Sequence, residues 1–136
     1  MVKELALFEK FIDKVTNTLE LMNEEKDYFH CIIAETNKKE IVGIAVYFFA
    51  YYTWVGKSLY LDDLYVQQSC RGQKVGSKLL KEIFTIAKEE NCKRVRWQVL
   101  DWNKPAIEFY KKVGATIDGS WYNCDFDKKR IGEFKI

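Results

Sequence analysis

Arg71, Lys74 and Lys78 surround two glycines, Gly72 and Gly76, at the point where an apolar run gives way to a helical pattern in Leu61 to Leu80, LDDLYVQQSCRGQKVGSKLL. Such a turn suits an anion. A helix N-terminus exposes unpaired N–H groups and the positive end of the peptide dipole, and glycine lets a phosphate come close to the backbone. The spacing excludes two nucleotide sites. A triphosphate loop needs G-x-x-x-x-G-K-[ST], but Gly76 follows Gly72 too soon and Ser77 precedes Lys78; a dinucleotide fingerprint G-x-G-x-x-G is absent. Just upstream, Asp62 and Asp63 are adjacent carboxylates that can take up a proton or simply cap and solvate a strand end. Cys70 adjoins the turn, as a reactive thiol or as a small packing residue.

The elements that must position these groups are legible in the patterning. Leu5, Phe8, Ile12 and Val15 share one face of a helix predicted from Lys3 to about Lys14, and Thr16 to Asp27 also reads as helical. Phe29 to Glu35 and Ile41 to Ala50 are strand candidates joined by the polar turn Thr36 to Glu40, an antiparallel hairpin; Ser58 to Val66 is the next strand. A helix follows from Val75 to Glu90, with Val75, Leu79, Ile83 and Ala87 as core stripe, Leu80 and Phe84 flanking it, and Asn91 at its end. Val95, Trp97 and Val99 alternate with Arg94, Arg96 and Gln98, a strand with one polar face. Asn103 caps a short helix with Pro105 in its first turn and Gly114 at its left-handed end. Trp121 to Phe126 and Ile131 to Ile136 read as a closing hairpin around Asp127 to Arg130. Strands alternate with helices only in the second half, which implies a mixed α/β sheet with a parallel pair there.

Composition bounds the reading. The chain has 136 residues, 48% hydrophobic and 31% charged, which fits one domain, residues 1–136, with a single core. A net charge of +2 gives no case for nucleic acid, and the short basic groups at Lys93, Arg94, Arg96 and at Lys128 to Arg130 read as solvated surface unless a phosphate lies nearby. The charge-free segment Ile41 to Gly56 is too short for a membrane span and rich in β-branched residues. Cys31, Cys70, Cys92 and Cys124 form no CxxC pair and have only His30 as an imidazole partner, so no metal site is expected; reduced thiols fit a cytoplasmic protein.

The turn resembles the pyrophosphate motif [QR]-x-x-G-x-[GA] of the GCN5-related N-acetyltransferases (GNAT), with Arg71 in first place and Gly76 in last. Similarity extends through Tyr60 to Leu80, VLDWNKPAIEFYKKVGA at Val99 to Ala115, VGIAVYFFAYYTWVGK and KELALFEK, and it points to the branch of diamine (spermidine/spermine) and thialysine acetyltransferases. It covers roughly residues 3 to 126, and W-N-x-x-A-[IM]-x-[FL]-Y is far more specific than the glycine turn.

The resemblance implies the GNAT fold, a mostly antiparallel mixed sheet with a splayed parallel pair flanked by helices, and transfer of acetyl from acetyl-CoA to a primary amine by direct attack. An alkylammonium with a pKa near 10 must first lose a proton, a task assigned to Asp62, with Asp63 beside it. Relatives carry Glu where Asp62 stands, and the shorter acid favours relay through water. Tyr110 matches the phenol that protonates the departing thiolate; read alone, a Tyr in an amphipathic helix is more often core. Leu64, Tyr65 and Val66 match the strand edge that holds the pantetheine arm. Arg71, Gly72, Gln73, Lys74, Val75, Gly76 and Ser77 match the pyrophosphate turn, and Asn103, Lys104, Pro105 and Ala106, with Tyr110, match further coenzyme contacts. Glu9, Asp62, Asp63 and Trp54 match the acceptor side, where Glu9 reads equally as a solvated helix residue. No metal, nucleic acid or membrane is implied; the partners are a small amine and a second copy in a homodimer.

This chain departs from the pattern at Lys74, where the family has Gly, at Tyr52 and Thr53, which replace an acidic-Pro pair before Trp54, and at its start, where the family's first strand has no counterpart. The missing strand leaves an edge for a neighbouring subunit or the C-terminal hairpin to cover, or reflects a misplaced start. A small diamine, thialysine or another lysine-like amine is as plausible an acceptor as spermidine. The rival reading is a catalytically impaired relative that binds coenzyme A or serves as a dimeric interaction module.

Overall fold

The computed structural model describes residues 1–135, which form two compact units, residues 1–100 and 101–135. The first holds a four-stranded sheet in the order β1-β2-β3-β4, with β1 His30–Glu35, β2 Ile41–Tyr52, β3 Gly56–Val66 and β4 Arg94–Arg96. The first three strands are antiparallel neighbours, and β4 runs parallel to β3 through the crossover helix α3, Val75–Glu89. The expected hairpin and parallel pair are therefore both present. In the first turn, the Thr36 hydroxyl accepts from the Lys38 and Glu40 amides.

Helix α3 buries Leu79, Leu80, Ile83 and Ala87 toward the sheet, where Leu59 and Leu61 are almost fully enclosed. Phe84, expected to flank this core, is 40% exposed and instead meets Trp97, with ring centroids 6.4 Å apart. Gly43 makes the close approach possible. A Cβ there would lie 3.0 Å from Leu79 Cδ1 and 3.2 Å from the Tyr65 carbonyl oxygen.

The opposite face of the sheet packs Ile44, Val46 and Tyr65 against Met1, Val2 and Leu5 of the N-terminal segment and against Phe29. Its helix α1, Val2–Phe8, stops sooner than the predicted Lys14. Lys10 turns left-handed at φ 64°, the Lys10 amide donates to the Leu7 carbonyl and the Phe11 amide to that of Ala6, so a complete C-terminal cap intervenes before the short turn Ile12–Lys14. The second predicted helix shortens to α2, Leu19–Glu24, with the Thr18 hydroxyl accepting from the Leu21 amide at 3.1 Å.

Residues 101–135 contain α4, Lys104–Lys112, and α5, Lys128–Glu133. Asn103 caps α4 by accepting from the Ala106 amide at 3.3 Å, and Gly114, at φ 90°, ends it. The predicted C-terminal hairpin is not formed. Asp127 accepts from the Arg130 amide at 2.8 Å and starts α5 in the expected turn, so that the helix runs on through Glu133 into the expected second strand, while Trp121 to Phe126 have no strand pairing; Ile136 lies outside the described residues. Capping of the charged run after Asp127 prevails over the β-propensity of Ile131 and Phe134. Among the described residues, no helix is long and apolar enough to cross a membrane.

Candidate active site

Strand β3 changes character halfway along. Its pairing with β4 covers only Ser58, Tyr60 and the Leu59 between them, so from Leu61 to Val66 the edge on that side has no ladder partner. Leu64, Tyr65 and Val66, the expected pantetheine edge, lie in this open stretch. On the other side the β2–β3 register jumps. Val46 pairs with Asp63 and Tyr47 with Leu61, which leaves Asp62 as the extra residue of a β-bulge. A bulge bends the strand and re-aims side chains, and here it sits where the parallel pair ends.

The bulge gathers charge of one sign. Asp63 has its carboxyl pushed up to about 6, first by burial and then by the negative charges of Asp62 and Glu9. Burial also raises Asp62, whose outer side is open to solvent, and Glu9 at the end of α1. The structure thus brings together three of the predicted acceptor-side residues, Glu9, Asp62 and Asp63. Trp54 is elsewhere: 89% exposed, it stands at the tip of the β2–β3 hairpin, roughly 20 Å along the strand from Asp62.

Beyond Val66 the chain makes a short turn, Gln68–Cys70, passes Gly72 at φ 78° and enters α3 through Lys74 at φ 63°. The left-handed backbone at Lys74 fits the glycine of the resembled motif at this position, because glycine adopts it without steric cost. The Lys78 amide bonds back to the Lys74 carbonyl as the first turn closes, and Lys74 provides no side-chain cap, so the amides of Val75, Gly76 and Ser77 precede that bond. Added Cβ atoms at Gly72 and Gly76 would meet nothing closer than Val66 Cγ2, 3.7 Å from Gly76. The turn therefore has room for a phosphate group.

Arg71 is not extended toward this seat. Its Nε donates to the Val66 carbonyl at 3.1 Å, and its guanidinium lies over the rings of Phe8 and Tyr65, at 4.8 and 5.7 Å, so it ties the turn to α1. The Gln73 side-chain amide donates to the Ser69 carbonyl, bracing the same turn. An open hollow of about 540 Å³ beside it is lined by Glu4, Tyr65, Gln67, Gln68 and Ser69.

In the second unit, Asn103, Lys104, Pro105 and Ala106 form the first turn of α4, and Tyr110, two turns on, is buried. A feature the sequence reading passed over lies on β4. Arg94 and Arg96, taken there as the polar face of a strand, both face the ring of Tyr52, with guanidinium carbons 4.2 and 5.7 Å from its centroid. The R-x-R spacing was the available signal.

Comparison with known proteins places these observations in a family. Residues 2–115 match the family model described as Acetyltransferase (GNAT) family. The chain is 36% identical over 147 residues to the thialysine N-epsilon-acetyltransferase of Sus scrofa, covering 98% of this chain and 86% of that protein. It is 32% identical to the human spermidine/spermine N(1)-acetyltransferase-like protein 1, covering 96% of this chain and 21% of that protein. Among solved structures, an integron cassette protein from the mobile metagenome of V. cholerae superposes with a TM-score of 0.76 at 27% identity, over 96% of this chain and 84% of that one.

Proposed function

This chain belongs to the acetyltransferase (GNAT) family, and we propose that it moves the acetyl group of acetyl-CoA onto a primary amine of a small polyamine, diamine or lysine-like acceptor. It is an N-acetyltransferase. The observation that carries the finer reading is the carboxylate-bearing bulge at Asp62, set where β3 loses its β4 partner. Residues 1–136 are read as one N-acetyltransferase domain, a reading supported by a family match that runs from residue 2 into the second compact unit as far as residue 115.

The cosubstrate supplies an activated thioester, and this chain's residues supply position and proton transfer. The amides at the start of α3, with Gly72 and Gly76, hold the diphosphate; the open edge Leu64 to Val66 holds the pantetheine arm; and Asn103, Lys104, Pro105 and Ala106 add contacts. Glu9, Asp62 and Asp63 draw in the ammonium. Asp62 and Asp63 titrate as a coupled pair and take the ammonium proton, Asp62 through water. A proton affinity near neutrality suits Asp63 to this task better than an ordinary aspartate, because it ionises at working pH yet still accepts a proton. The neutral nitrogen then attacks the thioester carbonyl carbon, the C–S bond breaks, Tyr110 delivers its hydroxyl proton to the sulfur, and the second proton shed by the acylated nitrogen restores the phenol. No covalent enzyme intermediate is needed.

Lys74 and the shortened acid are the features that favour a catalytically impaired relative. Lys74, however, adopts the left-handed backbone itself, and the bulge gives Asp62 a neighbour of raised basicity, so active catalysis is the better-supported reading. A homodimer in the cytoplasm, with the small amine as its other partner, completes the proposal; light scattering on the purified protein checks the assembly.

The deciding experiment is thiol release from acetyl-CoA across a panel of polyamines, diamines and lysine analogues. At least one amine should raise release far above that of Tyr110→Phe, whose rate should fall roughly 10²- to 10⁴-fold. If no amine exceeds the variant's level, catalysis is ruled out in favour of the impaired relative.

A further inference from the structure

The resemblance places Arg71 in the pyrophosphate turn, but its contacts lie on the acceptor side. Nε donates to the Val66 carbonyl at 3.1 Å, at the end of β3, and the guanidinium lies 4.8 Å from the ring centroid of Phe8 and 5.7 Å from that of Tyr65. One edge of the group is spent on the carbonyl and its face on two rings. Arginine suits such a fastening, because its edge donates while its plane stacks.

What it fastens is the end of a weak helix. α1 has seven residues, too few to persist alone in water, and none of them is buried. Met1, Val2 and Leu5 seat its first part on Ile44, Val46 and Tyr65. Phe8 is the last helical residue, and Glu9 follows it as C-cap, its amide donating to the Leu5 carbonyl at 2.9 Å. Asp63 lies two residues before Tyr65 on β3, so both belong to the sheet face that this segment covers. Where the end of α1 rests therefore decides how near Glu9 stands to Asp63, and the Asp63 carboxyl does register the Glu9 charge.

We propose that Arg71 is a positioning residue for the acceptor amine: by stacking on Phe8 and bonding to the Val66 carbonyl, it holds the end of α1 so that Glu9 stays beside Asp63 at the β3 bulge. This rests on the acetyl-transfer reading above and adds to it a residue that acts through Glu9. The turn proposed to seat the acetyl donor and the acids proposed to draw in the amine then share one fastening.

Asp63 is the gauge of this role. The groups that face it are Asp62 on its own strand, Glu9 on α1 and the Cys31 thiol on β1. Removing the Arg71 cation would by itself leave the Asp63 carboxylate less favoured and push its proton affinity up, whereas a Glu9 set loose lets that affinity fall, so the two causes differ in sign. NMR titration of the Asp63 carboxyl needs no turnover. Its midpoint of about 6 should drop by a few tenths of a pH unit in Arg71→Met, in Phe8→Leu, and in Arg71→Lys, which keeps the charge but loses the plane. In a Glu9→Gln background, none of these substitutions should move it further.

The same variants should raise KM for the amine roughly two- to fivefold and leave KM for acetyl-CoA unchanged. A midpoint that stays or rises in both Arg71→Met and Phe8→Leu overturns the inference; so does a KM effect confined to acetyl-CoA and to the Arg71 variants, the mark of a phosphate ligand. Phe8→Leu decides if Arg71→Met does not fold. Should the unaltered enzyme acetylate no amine, the acetyl-transfer reading falls, while the titration still decides whether Arg71 keeps Glu9 beside Asp63.

Discussion

The two halves of β3 are built to opposite ends. From Gly56 to Leu61 the strand has neighbours on both sides for much of its length and buries Leu59 and Leu61 under α3, so it holds the fold together. From Asp62 to Val66 it has no β4 partner, bulges against β2 and holds carboxylates close enough to repel one another. The first half is where apolar burial stabilises; the second keeps like charges close, at a cost in stability, and so raises the proton affinity of Asp63. One strand carries both because the bulge separates them by a single residue.

The largest effect belongs to the structural half. Leu61→Ala should destabilise the protein by about 2–5 kcal/mol, read from urea unfolding, because it leaves a cavity under α3. A loss under 1 kcal/mol would show that the first half of β3 is not the core it is taken for. The chemical half should respond in the opposite sense. The raised affinity of Asp63 means that the native state holds this proton more tightly than the unfolded chain, so wild-type stability is lowest above pH 6 and rises as pH falls from about 6 toward 4. Asp63→Asn should therefore stabilise the fold at pH 7, by up to about 3 kcal/mol, and the gain should fade over that same window. Its acetyl transfer should drop, and the acid limb of kcat/KM, expected near pH 6 in the unaltered enzyme, should move. A variant that loses activity without gaining stability would place Asp63 with the structural half.

The smallest effect separates backbone from charge at Lys74. Lys74→Gly should relieve the left-handed strain and stabilise by roughly 1 kcal/mol, whereas Lys74→Ala should not. If the ammonium pairs with a phosphate, titration calorimetry with acetyl-CoA will show weaker binding in both.

What the sequence disclosed follows the residues that carry conformational signals. Gly114 and Asn91 take the left-handed positions that end their helices, at φ 90° and 56°, because both residue types tolerate that region, and Asn103 caps as its type suggests. Lys10, Lys39 and Lys74 take the same backbone and gave no warning, since lysine has no preference for it; α1 was drawn too long for that reason. The acids at Asp62 and Asp63 were legible as chemistry, but the bulge that makes them unequal was not, because register depends on the partner strand. Arg94 and Arg96 alternated as a polar face should, and only the approach of Tyr52 reveals them as a pair.

Gly43 has a reach beyond its own strand. It faces Leu79 and Val75, on the opening turns of the helix whose first amides are proposed to hold the diphosphate, and the Tyr65 carbonyl on the β2 side of β3. A single methyl added there would press on the start of α3 and on the backbone of β3 from behind the proposed diphosphate seat. On that proposal, affinity for the acetyl donor would depend on a residue with no side chain near the start of an apolar strand, a position that a survey of polar residues would never visit.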